Sequence, residues 1–205
     1  MTAKKNDKEE IILNASIKVF SKKGYDLATI DEIAKKAKVS KGIVFFYYKK
    51  KEHLIERAAL RSVPVEEISA VNGRSHNNAK ELLMDFGISF LKKYENPELR
   101  NLLLMTIANK ERHKQIEIAL RTMCFQEMNR MFSRLEELAG GSVTSPIRKA
   151  FFGSLLCYVV WWNDNEMNLE EYVKTLAERI MGPSIISGNK NGQIDKRNGN
   201  FQSVE

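Results

Sequence analysis

Residues 29–54 read TIDEIAKKAKVSKGIVFFYYKKKEHL, and this stretch decides the fold. Thr29-Ile30-Asp31-Glu32 has the form of a capping box. The Thr29 hydroxyl can accept from the Glu32 amide while the Glu32 carboxylate reaches back to the Thr29 amide. The helix this opens places Ile30, Ile33, Ala34 and Ala37 on one face, at three- and four-residue spacing. Lys38-Val39 interrupts the pattern, and Ser40 is a good N-cap for a further helix. Two short helices joined by three or four residues form a helix-turn-helix.

The pattern extends in both directions. Upstream, Ile12, Ser16, Val19 and Phe20, with Leu13 and Ala15 beside them, predict a helix that Gly24 ends near residue 23. Downstream, Glu52–Arg61 reads as a helix stopped before Pro64, and 65–75 as a loop with Asn72-Gly73 as its turn signal. Helical periodicity resumes at Asn77, with Leu82, Leu83, Phe86, Ile88, Phe90 and Leu91 on a broad apolar face. Asn96-Pro97 pairs an N-cap with proline at the first helical position. One long helix is expected over 111–138, ending at Gly140-Gly141. Ser145-Pro146 opens an almost wholly apolar helix over 147–162, and Asn168 caps a last one over 169–180. The expectation is an all-α chain of about nine helices. An N-terminal three-helix helix-turn-helix unit (1–50) precedes a larger C-terminal helical domain (51–183) and a Gly/Asn/Ser/Lys-rich, disordered tail (184–205).

Charge is concentrated where the motif lies. The chain of 205 residues carries a net +7. Residues 1–60 hold fourteen Lys+Arg against eight Asp+Glu, so +6 of it falls there. A basic segment on an otherwise balanced chain points to a polyanionic partner, nucleic acid or an anionic membrane surface. No apolar run reaches the ~20 residues of a membrane span, and residues 1–10 lack the apolar stretch of a signal peptide. With Cys124 and Cys157 far apart and not a disulfide framework, a cytoplasmic location is the default expectation.

The chemistry of 40–51 suits DNA. Ser40 at a helix N-terminus leaves amides and the positive dipole end for a phosphate, and Lys41 adds a full charge. Gly42 removes side-chain bulk that would hold the helix away from a groove. Phe45, Phe46 and Tyr47 are consecutive and cannot all be core. Val44 and Tyr48, four apart, are the expected inward pair. Ile43, Phe46 and Tyr47 then face outward, with Phe45 near a backbone. Ile43 or Phe46 can touch a thymine methyl, Tyr47 can hydrogen-bond a phosphate, and Lys49, Lys50 and Lys51 can neutralise others.

Thr29, Ile33-Ala34, Val39-Ser40-Lys41-Gly42, Tyr47-Tyr48 and Lys49-Lys50-Lys51-Glu52-His53-Leu54, with Phe20, Lys23, Gly24 and Tyr25 upstream, closely resemble the DNA-binding signature of the TetR family. The resemblance covers about residues 8–60 without a gap. It implies a dimer that represses from a pseudo-palindromic operator on double-stranded DNA and is released by a small, largely apolar effector. It also implies Thr29, Lys41, Tyr47 and Lys51 as phosphate clamps. The chain departs from the pattern at Phe45, where the family usually has Tyr, so one phosphate hydrogen bond is expected to be missing. It departs again at Lys50, where a small capping residue is common.

In the C-terminal two-thirds the residues say less. The apolar helix 147–162 can be a central core helix, or can pack on a twofold mate together with 169–180 as a homodimer interface; two half-sites favour the second. Phe86, Phe90, Met105, Met123, Phe125, Met128 and Trp161 are candidates to line an effector pocket, since methionines and aromatics suit adaptable apolar cavities. Plain core is the competing reading of each. Cys124 and Cys157 read as small buried hydrophobes. His53, His76 and His113 are isolated, expected in solvent and without metal-ligand spacing. Neither a metal nor a cofactor is expected. No phosphate loop, HExxH or nucleophile elbow points to catalysis. The alternatives to an operator-binding regulator are a non-specific, architectural DNA-binding protein and, less well supported, a helical enzyme.

Overall fold

The computed structural model describes residues 2–161 and 168–182, with side chains from residue 7 onward except Gln115 and Ala119. Trp162, Pro183 and the expected tail lie outside the described residues. Within them the chain forms eleven α-helices and no strand. They are α1 (Thr2–Leu27), α2 (Ile30–Ala37), α3 (Lys41–Tyr47), α4 (Lys51–Ser62), α5 (Val65–Asn72), α6 (Ala79–Tyr94), α7 (Pro97–Asn109), α8 (Lys114–Ala119), α9 (Phe125–Ala139), α10 (Ser145–Trp161) and α11 (Leu169–Ile180). A π-helical turn, Leu120–Cys124, joins α8 to α9. No described helix is long and apolar enough to cross a membrane.

Local signals set most helix ends. Asn78, Asn96 and Asn168 each cap a helix, their side-chain oxygens accepting first-turn amides. Gly140 closes α9 in the left-handed region at φ 65°. Gly24, at φ 79° and ψ 171°, breaks α1, and one more helical turn follows the break. An L-residue side chain fits that backbone poorly, which is why glycine stands there.

Two expectations need correction. The expected loop 65–75 contains helix α5. Ile68 and Val71 are fully buried in the core, and Arg134 of α9 donates to the carbonyls of Val71, Asn72 and Arg74. Tertiary partners therefore supply what the local sequence does not. The single helix expected over 111–138 starts at Lys114 and is divided by the π turn. These two changes turn about nine helices into eleven. In α10, Phe151, Leu155, Tyr158 and Val159 are buried within the single chain. Val160 is 40% and Trp161 72% exposed.

Two apolar cores result. The first joins α1–α4 through Ile12, Phe20, Ile33, Val44 and Leu54, and takes in Leu102 of α7 and Ile116 of α8. The second gathers α5, α6, α7, α9, α10 and α11 around Phe86, Phe90, Phe132, Phe151 and Leu155. Helix α4 serves both: Leu54, Ile55, Ala58 and Ala59 sit in the first core, and Val63, just past its end, in the second. Burying these side chains is the main source of stability, at roughly 1.5–3 kcal/mol for each large apolar residue.

Candidate nucleic-acid interface

The capping box forms as read. Glu32 N donates to Thr29 Oγ1 at 3.3 Å and Thr29 N to Glu32 Oε2 at 3.1 Å. Lys23 pairs with the same carboxylate. That ammonium first, and the Thr29 amide second, hold the Glu32 carboxyl below its usual range. Ile30, Ile33, Ala34 and Ala37 are all buried. The turn is tight because Lys38 takes φ 55°, ψ 43° and donates its amide to the carbonyls of Ala34 and Lys35. Lys38 is the one non-glycine residue in the left-handed region among those described. Periodicity places the break at Lys38-Val39, but nothing local marks Lys38 as left-handed.

Ser40 then caps α3, its Oγ accepting from Ile43 N at 3.4 Å. Val44 and Tyr48 are 0% and 3% exposed and seat the helix on the first core. Burial pushes the Tyr48 phenol up to about 12. The other face is open: Phe46 is 61% and Phe45 38% exposed. Ile43 and Tyr47 are half-buried, both packed against the first core. Phe46 and Tyr47 meet edge to face at 5.2 Å, and Lys49 Nζ lies 5.8 Å over the Phe46 ring. A Cβ added at Gly42 would meet only Ser40 Oγ, at 3.9 Å. The fold therefore does not require glycine there; the space lies on the outer side.

Two expected clamps have partners within the chain. Lys41 Nζ lies 2.8 Å from Asp31 Oδ2, both ends exposed. Such a pair is worth at most about 1 kcal/mol and exchanges readily. Lys51 Nζ donates to the Asp26 carbonyl at 3.0 Å. Lys50 occupies the N-cap of α4 and makes no capping hydrogen bond, in keeping with its departure from the family pattern. Thr29, Ser40, Lys41, Gly42, Ile43, Phe45, Phe46, Tyr47 and Lys51 thus lie within one continuous stretch from the cap of α2 to the start of α4.

The seven pocket candidates differ widely in burial. Phe86 and Phe90 are in the second core, rings 5.8 Å apart. Met105 and Met128 are half-buried. Phe125 is 53% and Trp161 72% exposed. Met123 lines a small cavity of about 140 Å³ with Leu13, Leu60 and Val65. A larger, polar cleft of about 540 Å³ lies between α1 and α4–α7, lined by residues including Glu10, Asn14, Arg61, Glu67 and Lys93. Cys124 and Cys157 are free and half-buried, and burial pushes the Cys124 thiol up to about 11. His76 and His113 are not in solvent as expected: their side chains are 6% and 19% exposed, His76 Nε2 lying 3.0 Å from Asp85 Oδ2 and the His113 ring against Tyr25. Among the described residues no group of His, Cys, Asp and Glu could hold a metal.

Residues 12–58 match the family model of the bacterial regulatory proteins, tetR family. Over 49 residues the chain is 41% identical to the uncharacterized HTH-type transcriptional regulator YuxN of Bacillus subtilis, a match covering 24% of this chain and 17% of that protein. Over 94 residues it is 30% identical to IcaR of Staphylococcus aureus, the HTH-type negative transcriptional regulator of the biofilm operon icaADBC, covering 45% of this chain and 50% of IcaR. The matched segment spans no more than half of either relative's length. The fold extends further. The solved structure of the transcriptional regulator FadR from Bacillus subtilis, in complex with stearoyl-CoA, superposes with a TM-score of 0.64 at 20% identity, covering 88% of this chain and 98% of that one. Residues 12–58 thus carry the signature of the tetR family of bacterial regulatory proteins, on a helical chain that shares its fold with FadR.

Proposed function

We propose that this protein is a transcriptional regulator that binds a pseudo-palindromic operator as a homodimer, represses from it, and is released by a small, largely apolar effector. The observation that carries the reading is the outer face of α3. Phe46 is 61% exposed, beside a Gly42 that the fold itself does not require, with Lys41, Lys49 and Lys50 exposed around it. Thr29, Ser40, Lys41, Tyr47 and Lys51 hold phosphates. Ile43, Phe45 and Phe46 approach base edges and the sugar-phosphate wall.

Dimerisation through α10 and α11 is supported by the apolar surface that α10 leaves uncovered in the single chain, including Val160 and Trp161. Residues 1–50 form the reading unit and 51–183 the body that receives the effector. That FadR of Bacillus subtilis was solved with stearoyl-CoA supports an apolar effector here, and Phe86, Phe90, Met105, Met123, Phe125, Met128 and Trp161 remain the candidates to meet it. An effector that inverts operator occupancy from 1:99 to 99:1 must prefer the released state by about 5.5 kcal/mol.

The test is selection of duplexes from a random-sequence pool by the full-length protein at stated salt, followed by footprinting. A protected palindrome with half-sites about one helical turn apart supports the regulator. Uniform coverage with no enriched sequence supports the architectural alternative and overturns operator binding.

A further inference from the structure

The break at Gly24 turns Tyr25 into the interior, where the residue is 2% exposed. Its ring meets Phe20 edge-on at 5.2 Å and His113, from the turn before α8, at 5.6 Å. Its hydroxyl lies 2.7 Å from Thr106 Oγ1 on α7, 81 residues away in sequence. Thr106 Oγ1 lies 3.0 Å from Ser62 Oγ, at the last residue of α4. Thr106 and Ser62 are both fully buried. Tyr94 of α6 donates to the Ser62 carbonyl at 2.8 Å. Four helices therefore meet at one chain of buried hydroxyls.

Counting protons gives the chain a direction. Ser62 can donate to the Ala59 carbonyl at 2.7 Å, and Thr106 to Ser62 Oγ at 3.0 Å in place of the Leu102 carbonyl 2.7 Å away. With those protons placed, the Tyr25 hydroxyl donates to Thr106 Oγ1. Burial, only partly offset by this hydrogen bond, pushes the phenol up to about 12, so it keeps its proton to donate. A phenylalanine at 25 would fill the same space. The hydroxyl adds a constraint that apolar packing lacks, because moving the end of α1 strands a donor inside the core. A neighbouring polar link from this corner is exposed: Arg112 Nη1 is 3.3 Å from Asp26 Oδ2, at 73% and 60% side-chain exposure.

We propose that Tyr25, Thr106 and Ser62 form a buried hydroxyl joint that sets the angle at which the body carries the reading unit α1–α3, and so the separation of the two reading helices in the dimer. These are positioning residues: they act on DNA only through α3. The inference rests on the operator-binding reading above, and it adds a coupling element that is local, directional and shared by α1, α4 and α7.

The experiment compares full-length wild type with Thr106→Val, Tyr25→Phe and the conservative Thr106→Ser. Amide hydrogen exchange is read by segment. Binding is measured to the selected duplex and to versions with the half-sites moved one base pair closer or further apart. In Thr106→Val, exchange over 12–48 should rise about tenfold with 79–94 unchanged, and the preference for the selected spacing over the shifted ones should fall at least fivefold. Thr106→Ser should restore both. A merely structural role would raise exchange throughout and weaken all spacings alike; that result, or an unchanged spacing ratio, overturns the joint. If Thr106→Val does not fold, Tyr25→Phe gives the same two readouts. If no duplex is selected, the operator reading fails and segment-resolved exchange alone decides the joint.

Discussion

Gly87, mid-way along α6, lets α11 approach closely, and filling it should cost stability in a way a second substitution reverses. A Cβ at position 87 would lie 2.6 Å from Val173 Cγ1 and 3.3 Å from Cγ2, whereas carbon atoms sit comfortably at about 3.5–4.0 Å. Val173 is fully buried, so the strain requires α11 to move out by about 1 Å or Val173 to leave its rotamer. Overpacking of this kind costs about 1–3 kcal/mol, and a contact this short belongs in the upper half of that range. Against it, Ala gains about 1 kcal/mol over Gly in a helix interior. Gly87→Ala should therefore destabilise by about 1–2 kcal/mol, and lower Tm by about 2–4 °C for each kcal/mol. Val173→Ala alone loses two buried methyls, roughly 2 kcal/mol. Added to Val173→Ala, Gly87→Ala has no clash left and should instead stabilise by about 1 kcal/mol. The assay is denaturant unfolding of the four proteins at one fixed concentration, because dimerisation would shift apparent stability by mass action. If Gly87→Ala destabilises both backgrounds equally, close approach to Val173 is not why glycine stands there, and the reasoning fails.

Lys38→Gly removes the left-handed penalty in the helix-turn-helix turn and should stabilise by up to about 1 kcal/mol. No gain in urea midpoint would show that Lys38 carries no strain. Tyr47→Phe should weaken binding to all duplexes by a similar factor, read by gel shift on the selected duplex and its single-base variants. An effect confined to one variant would make Tyr47 a base reader. Stability should be flat with respect to tyrosine ionisation below pH 10 and fall as pH rises from 10 towards 12. In that window the unfolded chain loses phenol protons that Tyr25 and Tyr48, at about 12, retain when folded. Chemical denaturation at pH 9 and 11 checks this, and Tyr25→Phe should reduce the fall.

The sequence alone places the helix-turn-helix. The capping box at Thr29 and Glu32, the cap at Ser40 and the inward pair Val44 and Tyr48 depend on neighbours within four residues, and all form as read. Helix caps at Asn96 and Asn168 are legible for the same reason. The π turn at Leu120–Cys124 carries no cap or breaker that would announce it, and His76 is held in place by Asp85 rather than by anything beside it in sequence.

Local chemistry within a few residues, and the period of the apolar positions, were enough to determine an all-helical chain with a basic helix-turn-helix at one end. Tertiary structure decided the rest, because those choices depend on groups far apart in the chain. Helix α5 exists because Arg134, some sixty residues away, accepts the load of its terminal carbonyls by donating to them. The apolar face of α10 was legible as apolar, but only the packed chain shows which part of it stays open. Gly87 gains its meaning from Val173, and Tyr25 from a hydroxyl 81 residues on, whose distance and direction no periodicity encodes.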